Sequence, residues 1–171
     1  LSFVIASLVF VSCQEQSIED LSTSNLLEIE NIQEFSDNTT SVIYQWNNLW
    51  LKLDQNALGM RPNVTARALA YIHLAAYETV VHELEENKSL ENNFKDFNIS
   101  QSRRSDIIDI NLALNACYSK VFDHFMINLQ NNVGSEITIL KNNLISTYSS
   151  GLSTEIINDS ASWGDYVAEQ V

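Results

Sequence analysis

His82 and Glu83 are the first residues of this chain that invite a chemical reading. Two histidines one helical turn apart, with a glutamate after the first, hold zinc and supply a general base. Glu86 occupies the place of the second histidine, so the pattern breaks, and several acids around one histidine read as a solvated face. A carboxylate-bridged di-iron bundle needs Glu-x-x-His on two helices and a glutamate from each of two others. Glu78 and His82 stand four apart, and His124 follows Lys120 and Val121 rather than a glutamate, which argues against such a centre. His73 shares a helical face with Ala66, Ala70 and Tyr77 and is expected as a satisfied internal histidine, with a ligand or base as the alternative. Arg67, one turn before Tyr71 in a small-residue stretch, is expected to be buried against a carboxylate or carbonyls, because a guanidinium taken out of water requires partners. Substrate contact is its alternative reading. Cys117 falls between Leu114 and Val121 at helical spacing and reads as a small buried hydrophobe; only Lys120 stands near enough to activate it as a nucleophile. Trp46, Trp50 and Trp163 fall at core spacings. There is no glycine-rich phosphate loop and no serine nucleophile elbow.

The elements that must position these residues are helical throughout. Val42, Ile43, Trp46, Leu49, Trp50 and Leu53 recur at spacings of three and four, which predicts a first helix over about 39–56. Gly59 is placed to end it and Pro62 to open the next, the usual asymmetry of helix termini. From Pro62 to about Glu86 apolar or small residues occupy nearly every side, including Ala66, Ala68, Ala70, Ala75 and Ala76. Such a helix is expected in the middle of a bundle, where alanines let neighbours approach closely; on that placement Ala70→Leu would overpack the core. Ile107, Ile110, Leu114, Cys117, Val121, Phe125 and Leu129 mark a third helix over about 102–131. A fourth covers about 135–149, closed by Gly151, and a fifth starts near Ser153 and still runs at Val171. No period-two alternation occurs, so the fold class is all-α, a helical bundle incomplete at its C-terminus.

Composition narrows the partners. The chain has 171 residues, with 9 Lys+Arg against 22 Asp+Glu and a formal net charge of −13. A phosphate-tracking basic face is absent from such a balance, which excludes nucleic acid as an expected partner. Two cysteines form neither a disulfide framework nor a zinc knuckle. Leu1–Ser12 is uncharged and too short to span a bilayer, and reads as the apolar region of a secretory signal. Phe10-Val11-Ser12-Cys13 looks like a bacterial lipobox, which makes Cys13 the lipidation site and residues 1–13 signal and lipobox; an ordinary cleaved signal with an incidental Cys13 is the alternative. More than one acyl chain is needed for stable anchoring. Residues 14–38 carry Glu15, Glu19, Asp20, Glu28, Glu30, Glu34 and Asp37 and no base, and are expected as a flexible acidic tether holding about half of the net charge. The chain opens on Leu1 and stops inside the fifth helical pattern, so the expectation for residues 39–171 is the truncated N-terminal part of a larger bundle.

One resemblance joins these segments. The helix with Trp46 leads into Arg61–Val80, where Pro62, Ala66, Arg67, Ala68, Ala70, His73, Ala75, Tyr77, Glu78, Thr79 and Val80 carry a pattern P-x(3)-A-R-A-x-A-x-x-H-x-A-x-Y-[DE]-[AT]-V. This resembles the N-terminal helical region of bacterial vanadium-dependent haloperoxidase-like proteins, in the type-2 phosphatidic acid phosphatase superfamily. Trp163-Gly164-Asp165-Tyr166-Val167-Ala168 is similar to the Gly-x-x-Val-Ala helix that precedes the family's catalytic half. The resemblance implies an active site of Lys-x(6)-Arg-Pro, Pro-Ser-Gly-His and Ser-Arg-x(5)-His, in which Lys and both Arg hold vanadate or phosphate through charge-assisted hydrogen bonds. None of the three motifs occurs in this chain. Lys52 and Arg61-Pro62 imitate the first at the wrong spacing and are rejected. The resemblance therefore implies no catalytic, cofactor-binding or metal-binding residue here. It implies instead a secreted lipoprotein whose missing C-terminal half binds vanadate or phosphate as a peroxidase or phosphatase, with this part packing against that half and lending itself to a homodimer. The alternative from another class is a self-contained α-helical lipoprotein acting as a binding or interaction module.

Overall fold

A computed structural model describes residues 26–55, 62–84, 87–95, 97–99, 104–126 and 131–171, with side chains from Asp37 onward except 131–133. The chain divides into two compact units, Leu1–Glu34 and Phe35–Val171, and every side chain treated below belongs to the second. The signal, Cys13 and the tether as far as Asn25 lie outside the described residues.

Five helices and no strand are found among the described residues: α1 (Leu26–Asp54), α2 (Pro62–Val80), α3 (Ile110–Phe125), α4 (Asn131–Tyr148) and α5 (Thr154–Gln170). The protein is all-α, as its periodicity predicts. Helix α1 begins at Leu26, within the stretch expected as tether. Asp109 caps α3 by accepting the Leu112 N–H at 2.9 Å, and Ser153 caps α5 by accepting that of Ile156 at 3.3 Å. After α4, Gly151 sits third in a turn closed by the Leu152 N–H on the Ser149 carbonyl, with φ +80°, a conformation that favours glycine.

The middle of the bundle is α3, a correction to the expectation that α2 holds that place. Every residue from Leu112 to Ser119 is buried, so α3 is packed on all sides, against α2, α4 and α5. Ala113 and Gly164 let α5 lie directly on it: a Cβ built at Gly164 meets the Ala113 carbonyl oxygen at 2.0 Å. Helix α2 instead divides its small residues. Ala68, Ala75 and Ala76 are buried, whereas Ala66, Ala70 and His73 are exposed. Alanine contributes little apolar area, so its exposure costs little and its spacing does not reveal which side faces inward. Ile107, expected in the third helical seam, precedes α3 and is 65% exposed. Because Ala70 is exposed, Ala70→Leu is now expected to shift the urea unfolding midpoint by no more than about 0.5 kcal/mol equivalent; a loss of overpacking size would restore α2 to the centre.

Two apolar clusters result. In the larger, Trp46 stacks on Tyr118 (5.9 Å between centroids) and meets Phe122 edge-on (4.9 Å), with Trp50 edge-on to Phe122 at 5.6 Å. The smaller joins Ile99, Ala113, Trp163 and Val167. Buried polar groups stitch the helices together. The Trp46 indole N–H donates to Asn115 Oδ1 (3.1 Å), the Asn115 amide donates to the Lys141 carbonyl (2.9 Å), and Thr39 donates to Asn111 (3.1 Å). The Trp163 indole donates to the Thr79 carbonyl at 3.0 Å. All three tryptophans are buried as their spacing predicts.

Candidate functional site

Helix α2 carries Arg67, His73 and Glu78, and the fold distributes them between an open face and a buried end. On the open face Arg67 is exposed, a correction to its expected burial beside a carboxylate: its guanidinium lies 5.5 Å from the Tyr71 ring centroid and donates to the Tyr71 hydroxyl at 3.4 Å. Stacking on an aromatic ring is available to arginine because the planar cation is weakly hydrated. His73 is also exposed, against the expectation of an internal histidine. Both corrections follow from the rotation of α2, which puts the 66/70/73 stripe outward.

Two grooves flank this face. One, about 800 Å³, lies between α2, α3 and α5, with Val64, Val121, Phe125 and Val171 as apolar walls and Arg67, Lys120 and His124 as its bases. Lys120 is ion-paired there with Glu169. The other, also about 800 Å³, runs along α2 toward residues 90–97. His124 lies at the first groove and its ring meets Phe125 edge-on at 5.1 Å.

The other end of α2 is polar and buried. Glu78 is 0% exposed; Oε1 accepts the Leu90 N–H at 2.6 Å, while Oε2 has no hydrogen-bond partner in the structure. Glu91 accepts the Ile99 N–H (3.0 Å), Tyr77 donates to the Lys88 carbonyl (2.8 Å), and Glu83 pairs with Arg104. The effect is to tie the connection between α2 and α3 to the bundle, so that Ile99 reaches the Trp163 cluster. His82, whose ring lies edge-on to Trp163 at 5.8 Å, sits in the same knot. Burial holds its pKa below the ordinary value of 6.5, outweighing the attraction of Glu78; Arg104 lowers it further and Glu91 opposes. The folded state therefore binds protons less readily at His82 than the unfolded chain does. Its contribution to stability is complete above about pH 6.5 and is lost as pH falls through that value toward the depressed folded pKa. Urea midpoints taken between pH 7.5 and 5.5 should fall less steeply for His82→Gln than for the unsubstituted chain; parallel slopes would refute this role.

The sequence raises His82 and Glu78 as metal ligands only to reject them, with Glu78 otherwise one position of the resemblance pattern, and among the described residues no cluster of three or more His, Cys, Asp or Glu is placed to hold a metal ion. The role of Glu78 in capping a distant N–H leaves no local signal, because Leu90 is twelve residues away. Cys117 is buried as expected, and burial pushes its thiol up to about 12, opposed by a hydrogen bond with Thr79. In a Cys13→Ser chain, Cys117 should react with a thiol-specific disulfide reagent no faster than the fold opens, and promptly in denaturant; prompt native labelling would contradict its placement.

The oxyanion arrangement implied by the resemblance is not assembled by these residues. Lys52 Nζ is 2.6 Å from Glu136 Oε2, and Arg61 lies outside the described residues. Among the described residues no vanadate or phosphate site of that pattern is formed. No helix among the described residues is long and apolar enough to cross a membrane. No family model matches the sequence, and neither the curated proteins nor the solved structures give a match.

Proposed function

We propose that this chain is the non-catalytic N-terminal helical portion of an exported, Cys13-anchored relative of the vanadium-dependent haloperoxidases and type-2 phosphatidic acid phosphatases. Its partner is the protein's own C-terminal catalytic half, which supplies the Lys, Arg and His side chains that hold vanadate or phosphate. The membrane is reached through the lipid on Cys13, and a homodimer is compatible with the same surfaces.

The observation that carries the reading is the outward half of the α2 pattern. Ala66, Ala70 and His73 belong to the stretch that resembles the family, yet they are exposed. A small-residue stripe beside Val64, itself 44% exposed, is the surface on which a further helix packs closely. Gly164 in the second stretch of resemblance adds support, since its lack of a side chain serves the contact of α5 with α3.

The reading frame downstream of Val171 tests this at once. Lys-x(6)-Arg-Pro followed by Pro-Ser-Gly-His within about 250 residues is the expected result, that separation being what a single bundle of this size allows. A stop codon soon after Val171 would overturn it in favour of the self-contained binding module. Radiolabelled palmitate on the full-length protein, lost in Cys13→Ser, tests the anchor separately.

A further inference from the structure

The second groove along α2 combines aromatic and aliphatic walls with two basic side chains. Its volume is about 800 Å³, within the range of small-molecule sites. Ala70 and Leu74 contribute to its α2 side beside Tyr71 and Tyr77, and Phe94 and Phe97 line it from the connecting segment. Phe97 packs against the Trp163 cluster, whereas Phe94, which meets it edge-on at 6.0 Å, is 50% exposed and leaves an aromatic face at the surface. The connecting segment is tied down by the Glu78–Leu90 and Tyr77–Lys88 hydrogen bonds, which fix the far wall relative to α2.

The charge is the informative part. The chain carries −13, yet the charged side chains lining this groove are Arg67 and Lys95, with His73 beside them and no side-chain carboxylate among the described lining residues. In the first groove the corresponding lysine is neutralised, since Lys120 pairs with Glu169. Arg67 is oriented by the Tyr71 ring and hydroxyl, which leaves further guanidinium N–H groups for an anion. Like charge disfavours a second copy of this face as the occupant of this groove. An uncharged apolar ligand leaves the two cations unanswered.

We propose that this groove is a binding site for a soluble amphiphilic organic anion, a single carboxylate, sulfonate or phosphate head on an alkyl or aromatic body. Arg67 and Lys95 take the head, and the aromatic walls cover the body. The inference does not rest on the haloperoxidase-like reading, because it uses only residues of this chain; it requires the Ala70 and His73 side of the α2 stripe to stay open to the ligand.

The test uses the full 171-residue chain with 1-anilinonaphthalene-8-sulfonate as the fluorescent probe. Saturable binding is expected, displaced by dodecanoate below its micelle concentration. Dodecyltrimethylammonium, with the same tail and the opposite head, should be weaker by about tenfold or more. The doubly substituted Arg67→Gln/Lys95→Gln chain should lose about tenfold in dodecanoate affinity, whereas Lys52→Gln, a remote charge control, should not. Ala70→Trp, at an exposed position, should fill the groove and abolish displacement while leaving the circular dichroism spectrum unchanged. Equal displacement by the cationic and anionic amphiphiles would overturn the proposal, as would unaltered affinity in the double variant. Displacement by phosphatidylglycerol vesicles without displacement by dodecanoate would overturn the assignment of a soluble ligand in favour of an anionic lipid surface.

Discussion

Gly164→Ala is expected to destabilise the folded protein by about 3 kcal/mol, the upper end of overpacking costs, while Gly134→Ala is expected to stabilise it by about 0.5 kcal/mol. The two glycines are both helical, and the substitution adds the same methyl group to each. At Gly164 that methyl would stand 2.0 Å from the Ala113 carbonyl oxygen and 2.9 Å from the Cys117 backbone nitrogen. Both contacts are backbone, so no side-chain rotation relieves them and α5 must move away from α3. That movement loosens Trp163 and Val167, which belong with Ala113 and Ile99 to one buried cluster. The intrinsic preference of a helix for alanine over glycine, up to about 1 kcal/mol, offsets only part of the loss. At Gly134, exposed near the start of α4, nothing lies within 4 Å, and the preference acts unopposed. Differential scanning calorimetry decides the pair: a fall of about 10 °C for Gly164→Ala is expected for a domain of this size. A midpoint within about 2 °C of the unsubstituted protein would mean that α3 and α5 are not in backbone contact.

The glycine pair also shows where the sequence informs and where it does not. Helix positions are legible because Val42, Trp46, Leu49, Trp50 and Leu53 differ sharply in polarity from their neighbours, and all five are buried. Burial of Cys117 is legible for the same reason. Orientation of α2 is not, since a helix with alanines on several sides has little contrast between its faces, and Arg67 and His73 were accordingly expected inside. The centrality of α3 is not marked by polarity, since Asn115 and Ser119 are polar and buried. Asn115 is satisfied by partners 69 and 26 residues away in sequence, Trp46 and Lys141. The same holds for the buried end of α2, where Glu78 caps Leu90 across a turn that no short motif encodes. Gly164 and Gly134 are alike in sequence and separated only by what crosses them.

Trp46→Ala is expected to cost about 3–5 kcal/mol, the range for truncating a large buried aromatic. Trp46 is 0% exposed and its ring contacts Tyr118 and Phe122 together, so the void would open at the junction of α1 and α3. Part of the loss is polar. The indole N–H satisfies Asn115 Oδ1, and the amide of the same Asn115 holds the Lys141 carbonyl of α4, so one buried side chain links three helices. Trp46→Phe keeps a six-membered ring but removes the donor and the rest of the indole, leaving a small void and the Asn115 oxygen buried without a donor; that change is expected to cost about 1–3 kcal/mol. Asn115→Ala strands the indole N–H and removes the extra bond to the Lys141 carbonyl, which keeps its partner within α4, and should cost a similar amount. In the double variant Trp46→Phe/Asn115→Ala the donor and the acceptor of the first bond are both gone, and an unsatisfied buried group costs more than a missing pair. The double variant should therefore be more stable than the sum of the single losses predicts, by about 1 kcal/mol. Urea unfolding of the four proteins measures that difference directly. Strict additivity would mean that ring packing against Tyr118 and Phe122, rather than the shared asparagine, holds α1 to the centre of the bundle.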